Sequence, residues 1–298
     1  MSWDKITEQQ NSASANIDEN STLEILSIIN NEDTGVALAI QKKLTEIEAF
    51  IDALIPKIRR GGRLFYVGSG TSGRLGVLDA AECPPTFSTD PEMVLGIIAG
   101  GYDALVKSIE GAEDNPADGS KAIVDYGINS EDTVLGITAS SSTPFVLGAL
   151  EKAKEIGAMT GLLLSNNPPK LEYVDYIISI IVGPEVITGS TRMKAGTATK
   201  LVLNMITTTL MIKLNKTYGN LMVDLKASNE KLWDRGTRII QHLTDLNYDD
   251  SLKLLQSADG EVKTAIVMER LKEGLGVARE YLSEKKGSLR KVLAGNSD

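Results

Sequence analysis

The chain has 298 residues, 42% of them hydrophobic and 24% charged, and 40 acidic against 31 basic residues give a net charge of −9. That balance argues against an extended nucleic-acid surface, and no apolar run approaches the roughly 18 residues needed to span a bilayer. One cysteine excludes an intrachain disulfide, and the absence of any His/Cys cluster beside the single His242 excludes the usual zinc sites, so carboxylates are the expected proton carriers.

The N-terminal stretch MSWDKITEQQNSASANIDEN is polar and acidic, with neither the basic start nor the apolar stretch of a secretory signal, so a cytoplasmic protein is expected. From Ser21 to Arg60 the pattern is helical. STLEILSIINNED opens on a Ser/Thr cap with a nearby Glu, and GVALAIQKKLTEIEAFIDALIPKI repeats its apolar residues at three and four, predicting two helices packed over a sheet. After Gly61-Gly62 come five short apolar runs, RLFYVGS, MVLGIIAGG, TVLGITAS, AMTGLLLS and DYIISIIVG, each separated by enough chain for a helix. Such runs predict an α/β fold with a parallel sheet buried on both faces and its Ser/Gly/Thr turns along one edge, where ligands bind. TRMKAGTATKLVLNMITTTLMIKL, from Thr191 to Leu214, predicts a long apolar helix of the kind buried in a core or across a subunit interface. Beyond Asn229 the strands stop, and EKLWDRGTRIIQHLTDL, YDDSLKLLQSADG, EVKTAIVMERL and VAREYLSEKKGSLRKVLAG predict a small bundle of helices. The expected division is an N-terminal helical segment (1–54), a sheet domain (55–225) and a small helical domain (226–298).

Gly68-Ser69-Gly70-Thr71-Ser72-Gly73 fits G-x-G-x-x-G between a strand and a helix, where glycines let backbone amides approach a phosphate. A dinucleotide site also needs an acid at the end of the second strand, and Gly100-Gly101 stand there instead; a P-loop would need a Lys-Ser/Thr pair after the glycines. What the turn offers is the hydroxyls of Ser69, Thr71 and Ser72. A second turn, GITASSSTPF, repeats this with Ser140, Ser141, Ser142 and Thr143 before a helix begun by Pro144. A capped helix start would explain either turn alone, whereas two on one sheet edge favour an anionic ligand. Glu82 stands at the close of the first helix in AAECPP. Either it is a surface glutamate before a helix break, or Pro84 and Pro85 fix a corner that holds its carboxylate in partly dry surroundings. Cys83, with no nearby His, reads as a small buried apolar residue. SIEGAEDNPADG brings Glu110, Glu113 and Asp114 near the same edge, and TGSTRMKAGTATK offers Arg192, Lys194 and Lys200 as a local positive field.

At these residues the sequence resembles a known family. VGSGTSGRLGVLDAAECPPTF, IAGGYDALVKSIEGAEDN, GPEVITGSTRMKAGTATKLVLNMITTTLMIK and YGNLMVDLKASNEKL closely resemble the N-acetylmuramic acid 6-phosphate etherases, which carry a sugar isomerase (SIS) domain, and the resemblance runs essentially the whole chain. It implies a three-layer, flavodoxin-like parallel-sheet sandwich with a small C-terminal helical bundle described as UBA-like. It implies a cytoplasmic lyase of peptidoglycan recycling that uses water to cleave the lactyl ether of N-acetylmuramic acid 6-phosphate, yielding N-acetylglucosamine 6-phosphate and D-lactate. The family works as a homodimer without metal or cofactor. The family's motifs put the catalytic acid/base on Glu82 and a second glutamate on Glu113. They put phosphate binding on Thr71 and Ser72 in the first turn and on the turn from Ser140 through Ser142 to Thr143 in the second; Ser69 and Gly70 join them from the glycine turn itself as expected sugar-phosphate contacts, and Lys194 or Arg192 is expected to meet the lactyl carboxylate. One departure stands out: where family members commonly read Ala-Ser-Gly-Arg-Thr-Pro, this chain has Ala139-Ser140-Ser141-Ser142-Thr143-Pro144, losing a flexible backbone position and a cation. An aldose–ketose isomerase and a non-catalytic sugar-phosphate sensor are the competing readings on the same scaffold.

Overall fold

A computed structural model of the chain describes residues 5–168 and 170–295. All five apolar runs form strands, β1 (Leu64–Gly68), β2 (Val94–Ile98), β3 (Thr133–Thr138), β4 (Met159–Leu164) and β5 (Tyr176–Ser179), in one parallel sheet of order β2-β1-β3-β4-β5. Every residue of β1, β3 and β4 is buried, which is why these strands read as continuous apolar runs and not as alternating ones. The chain forms two compact units, residues 1–81 with 91–207 and residues 82–90 with 208–298. Among the described residues no helix is long and apolar enough to cross a membrane.

In the first unit, helices cover both faces of the sheet. On one, α6 (Pro116–Asp125) and α7 (Pro144–Ile156) bury Ile123, Val146 and Leu150 against Phe65, Val67, Val134 and Leu162. On the other, Phe50 of α3 (Leu44–Arg59) lies over Gly161, and Gly76 of α4 (Gly70–Phe87) lies against Tyr66 and Ile137. There Asp79 accepts hydrogen bonds from Tyr66 Oη (3.0 Å), Asn204 Nδ2 (2.7 Å) and Thr207 Oγ1 (3.3 Å), tying α4 to α8 (Lys194–Lys213). Burial pushes the Asp79 carboxyl up, against the pull of those donors. At the amino ends of the strands, the Arg63 guanidinium grips the buried Asp132 carboxylate through Nε (3.2 Å) and Nη2 (2.7 Å).

The N-terminal helices differ from expectation. The predicted second helix is divided into α2 (Gly35–Gln41) and α3 at Lys42-Lys43, where Lys43 leaves the helical backbone (φ −123°, ψ 14°) and its N–H donates to the Ile40 carbonyl at 2.8 Å. The preceding α1 (Thr22–Asp33) has the expected capping box at Ser21 and Glu24 but buries no residue, so the packing over the sheet falls to α3, with Ile47, Phe50, Ile51, Leu54, Ile55 and Ile58.

The second unit closes around Val223, Leu225, Ile240, Leu255, Ile266 and Leu282, contributed largely by α9 (Glu230–Leu243), α10 (Tyr248–Ser257), α11 (Val262–Leu271) and α12 (Leu275–Glu284). The last predicted helix is two, α12 and α13 (Leu289–Ala294), parted where Lys286 and Gly287 take φ of 53° and 75°. The segment 82–90 is held here by Lys226 N–H donating to Ser88 Oγ (3.1 Å) and Lys216 Nζ donating to the Ser88 carbonyl (3.4 Å).

The α6–α7 contact is the tightest in the first unit, since the helices approach backbone to backbone at two glycines. A Cβ on Gly119 would lie 1.9 Å from the Phe145 carbonyl oxygen, and one on Gly148 2.2 Å from that of Pro116. Gly119→Ala and Gly148→Ala should each destabilise the protein by about 2–3 kcal/mol in urea denaturation. Gly276→Ala, in α12 with nothing within 4 Å of its Cβ, should be neutral or stabilising by up to ~1 kcal/mol.

Candidate functional site

Parallel strands deliver their carboxyl ends to one edge, and here the order changes direction between β1 and β3: one neighbour of β1 is β2, while β3 leads on to β4 and β5. Connections leaving β1 and β3 therefore diverge and open a crevice, the common ligand position in an open α/β sheet. The structure has a cleft of about 280 Å³ at this point. Its walls include Ser69, Gly70, Thr71 and Ser72 from the first turn, Thr138, Ser140 and Thr143 from the second, and Glu113 from the loop before α6. Seven of the residues singled out from sequence thus share one cavity. Ser142 stands beside it, with its Oγ 3.4 Å from that of Ser140.

The hydroxyls do more than cap helices. Thr143 occupies the N-cap position of α7, yet its side chain makes no cap bond; its Oγ1 lies 2.7 Å from Thr138 Oγ1, which is also 3.4 Å from Ser140 Oγ. The second turn is therefore a linked run of hydroxyls at a helix start, not a capped helix end. In the first turn, Ser69 Oγ donates to Glu113 Oε2 at 2.6 Å. The Glu113 carbonyl accepts from Phe145 N–H at 3.0 Å, so the main chain at Glu113 is pinned to the first turn of α7. Close packing of α6 on α7 thereby fixes where this carboxylate stands. Two long helices, α4 and α7, direct their positive ends at the cleft. A second cavity of about 310 Å³ shares Ser69, Gly70 and Glu113 and adds Arg74, Ser108 and Glu110. The Arg74 guanidinium donates to the carbonyls of Leu105 (3.1 Å) and Lys107 (2.9 Å), holding the short helix α5 (Asp103–Val106) and the loop that leaves it.

Lys194 does not line the cleft. It is buried, its ammonium ion-paired with Glu32, which that bond holds below the usual carboxylate range. Its backbone N–H and that of Ala195 donate to the two oxygens of Glu185, each at 2.9 Å, so a fully buried carboxylate caps α8. Burial pushes the Glu185 carboxyl up despite those bonds. Arg192, just before α8, is exposed. Glu82 belongs to the second unit and is exposed, which matches the surface alternative of the two its sequence setting leaves open. Helix α4 also does not close there. It runs on through Pro84 and Pro85 to Phe87, since a proline removes one donor and displaces one turn without forbidding the helical φ. Cys83 is buried, as its apolar reading requires.

Sequence reasoning missed the N-terminal contribution. Residues before α1 form short 3₁₀ turns that reach the carboxyl edge of the sheet: Ile6 N–H donates to Asn166 Oδ1 (2.9 Å), Asn166 Nδ2 donates to Thr7 Oγ1 (2.8 Å), and Gly189 N–H donates to the Thr7 carbonyl (3.2 Å). This brings Glu8 into the cleft wall, together with Gly189 and Thr191 from the loop before α8. Lys5 Nζ donates to Ser142 Oγ. A polar stretch without periodicity gives no local sign of such a placement.

Comparison with known proteins agrees with this architecture. Residues 46–154 match the model of the glucokinase regulatory protein N-terminal SIS domain, and residues 219–273 match that of the C-terminal lid domain of glucokinase regulatory protein. Among solved structures, a phosphoheptose isomerase from Francisella tularensis aligns with a TM-score of 0.50 at 13% identity, over 65% of this chain and 100% of that one, a likeness of fold alone. Among curated proteins, the N-acetylmuramic acid 6-phosphate etherase of Geobacillus sp. (strain WCH70) is 48% identical over 288 residues, 96% of this chain and 98% of that protein. The etherase of Clostridium acetobutylicum is 53% identical over 267 residues, 89% of this chain and 88% of its own length. With identity of this order along nearly the whole chain, and a parallel sheet whose hydroxyl-lined turns meet at the switch in strand order, the chain belongs to the N-acetylmuramic acid 6-phosphate etherase family.

Proposed function

We propose that this chain cleaves the D-lactyl ether of N-acetylmuramic acid 6-phosphate, giving N-acetylglucosamine 6-phosphate and D-lactate. The observation that carries the reading is the near full-length identity to etherases, which spans both the sheet and the C-terminal helices. The cleft supports it. A phosphate dianion suits a pocket of hydroxyl donors at the positive ends of α4 and α7, so Ser69, Gly70, Thr71, Ser72, Ser140, Ser142 and Thr143 are assigned to the phosphate end of the sugar. With the ammonium of Lys194 engaged by Glu32, Arg192 is the better placed of the two cations for the lactyl carboxylate.

The chemistry needs a proton carrier. In the ring-opened aldehyde the carbonyl acidifies the C2 proton; a carboxylate removes it, the C2–H electron pair forms the C2=C3 bond, and the C3–O bond breaks with the lactyl oxygen taking a proton. Water then adds across the conjugated double bond, oxygen to C3 and proton to C2. Glu82 is assigned as the principal acid/base and Glu113 as its partner, the latter oriented by the Ser69 hydroxyl. The division 1–54, 55–225 and 226–298, an intracellular location and a homodimer belong to the same reading. An isomerase on this scaffold would also move the C2 proton but would release no lactate, and a sensor would bind without turnover.

Incubation of the protein with N-acetylmuramic acid 6-phosphate should release D-lactate, detectable by a coupled lactate dehydrogenase; sugar-phosphate binding without lactate would exclude the etherase reading. Glu82→Gln and Glu113→Gln should each lower kcat by about 10²–10⁴-fold with the fold intact by circular dichroism, and near-normal turnover of either variant would remove that residue from the acid/base pair. Lys194→Ala should destabilise the protein by about 2 kcal/mol by removing the ion-pair partner of Glu32, which retains the Asn11 amide at 2.7 Å. If that variant keeps normal affinity for the intact substrate below its unfolding range, Lys194 has no part in holding the lactyl carboxylate.

A further inference from the structure

The cleft assigned to the phosphate has an electrostatic imbalance. Its described walls carry two carboxylates, Glu8 and Glu113, and no lysine or arginine. Hydroxyls and helix ends supply only partial charge, so a dianion brought there meets net like charge on a protein that is already acidic. The second turn, Ala139-Ser140-Ser141-Ser142-Thr143, carries no cation of its own. The structure brings one to it from elsewhere: Lys5, distant in sequence, donates its ammonium to Ser142 Oγ, which is 3.4 Å from Ser140 Oγ in the cleft wall.

This lysine is not at the end of a loose tail. Ile6 N–H is bonded to Asn166 Oδ1 at 2.9 Å, and Thr7, fully buried, is held through its side chain by Asn166 and through its carbonyl by Gly189. The backbone next to Lys5 is therefore anchored at the exit of β4, and only the flexible stem of the side chain has to be ordered on binding.

We propose that Lys5 is a phosphate-binding residue of this cleft, supplying from the N-terminal segment the positive charge that the second turn lacks at Ser142. The inference rests on the reading of the cleft as a sugar-phosphate site. When a phosphate enters, the ammonium moves from Ser142 Oγ, or shares it, to meet a phosphate oxygen, and the Ser142 hydroxyl turns to donate to another. The contact is partly solvated, so its strength depends on ionic strength.

The test uses the full chain, with N-acetylglucosamine 6-phosphate and unphosphorylated N-acetylglucosamine as calorimetric probes and N-acetylmuramic acid 6-phosphate for kinetics. Lys5→Met and Lys5→Gln should each weaken the sugar phosphate about tenfold, Gln included although it keeps a donor for Ser142, while Lys5→Arg stays within about threefold of the parent. The loss should appear in KM more than in kcat, and the salt dependence of binding should flatten. Adding Ser142→Arg to Lys5→Met should restore affinity, and the same substitution in the parent should gain much less, because the two cations serve one phosphate. Equal affinity in the parent, Met and Gln proteins overturns the proposal, as does a loss that Lys5→Arg and Ser142→Arg both fail to repair. If the parent releases no lactate yet binds the sugar phosphate in a Lys5-dependent way, the etherase reading falls and this assignment stands. If lactate is released and KM is indifferent to Lys5, the reverse holds.

Discussion

The reversal of strand order between β1 and β3 is the constraint from which the site follows. With every strand parallel, each must be followed by a crossover, and right-handed crossovers on opposite sides of that line carry their helices to opposite faces of the sheet. The first turns of α4 and α7 are thus neighbours in space although about seventy positions separate them in the chain. No side chain needs to specify that meeting; the hydrogen-bond ladder of β1 with β3, from Leu64 opposite Thr133 to Gly68 opposite Ile137, sets it. What the side chains decide is what the crevice does. The Thr138–Thr143 bond turns the hydroxyls of the second turn inward, and Ser69 holds the Glu113 carboxylate. The glycine contact between α6 and α7 then acts at a distance, because the loop carrying Glu113 enters α6 and its carbonyl is tied to α7.

An acidic protein that binds an anion has to use its cations selectively, and the first unit shows where they go. Arg63 is taken up by Asp132 at the amino ends of the strands, Arg74 by two loop carbonyls, and Lys194 by Glu32. Each of these bonds shapes the scaffold and leaves that cation less available to a ligand. Glu185 shows the same economy with the opposite sign: it is a fully buried carboxylate whose oxygens meet the first amides of α8, so its charge is answered by the helix start. The described walls of the cleft consequently hold hydroxyls, helix starts and the carboxylates of Glu8 and Glu113, and no lysine or arginine.

The sheet was legible because strands buried on both faces must be apolar throughout, and RLFYVGS or TVLGITAS admits little else. The turns were legible because Gly and Ser/Thr clusters at strand ends have few structural uses, and the cleft gathers them as the pattern suggested. Glu113 was marked by its place after a strand, near the same edge. Other features hide from local reading. Lys42-Lys43 splits a helix whose apolar period reads across the gap, and Lys286-Gly287 divides another through left-handed backbone that a lysine seldom announces. Pro84-Pro85 suggests a stop, but helical φ is what proline already has, and α4 continues. The stretch holding Lys5, Thr7 and Glu8 reads only as polar and acidic because its role is tertiary: it is positioned by Asn166 and Gly189, more than 150 residues away in sequence.

The second turn shows that shape and charge are separable in a binding loop. Ser141 adopts φ of 66°, in the left-handed region where a glycine has no steric cost and a residue with a Cβ loses on the order of 1 kcal/mol. Serine holds this glycine-like conformation because the β3 ladder and the Thr138–Thr143 bond over-determine the backbone on both sides. The path of the turn is therefore set without a glycine at 141, and the turn itself supplies no cation. A missing shape has to be rebuilt in place, whereas a missing charge can be supplied from any segment that reaches the spot, and the N-terminal segment reaches Ser142. Charge acts through space and falls off gradually, while the orientation of donors depends on bond geometry, so the first can come from a distant segment of the chain and the second cannot.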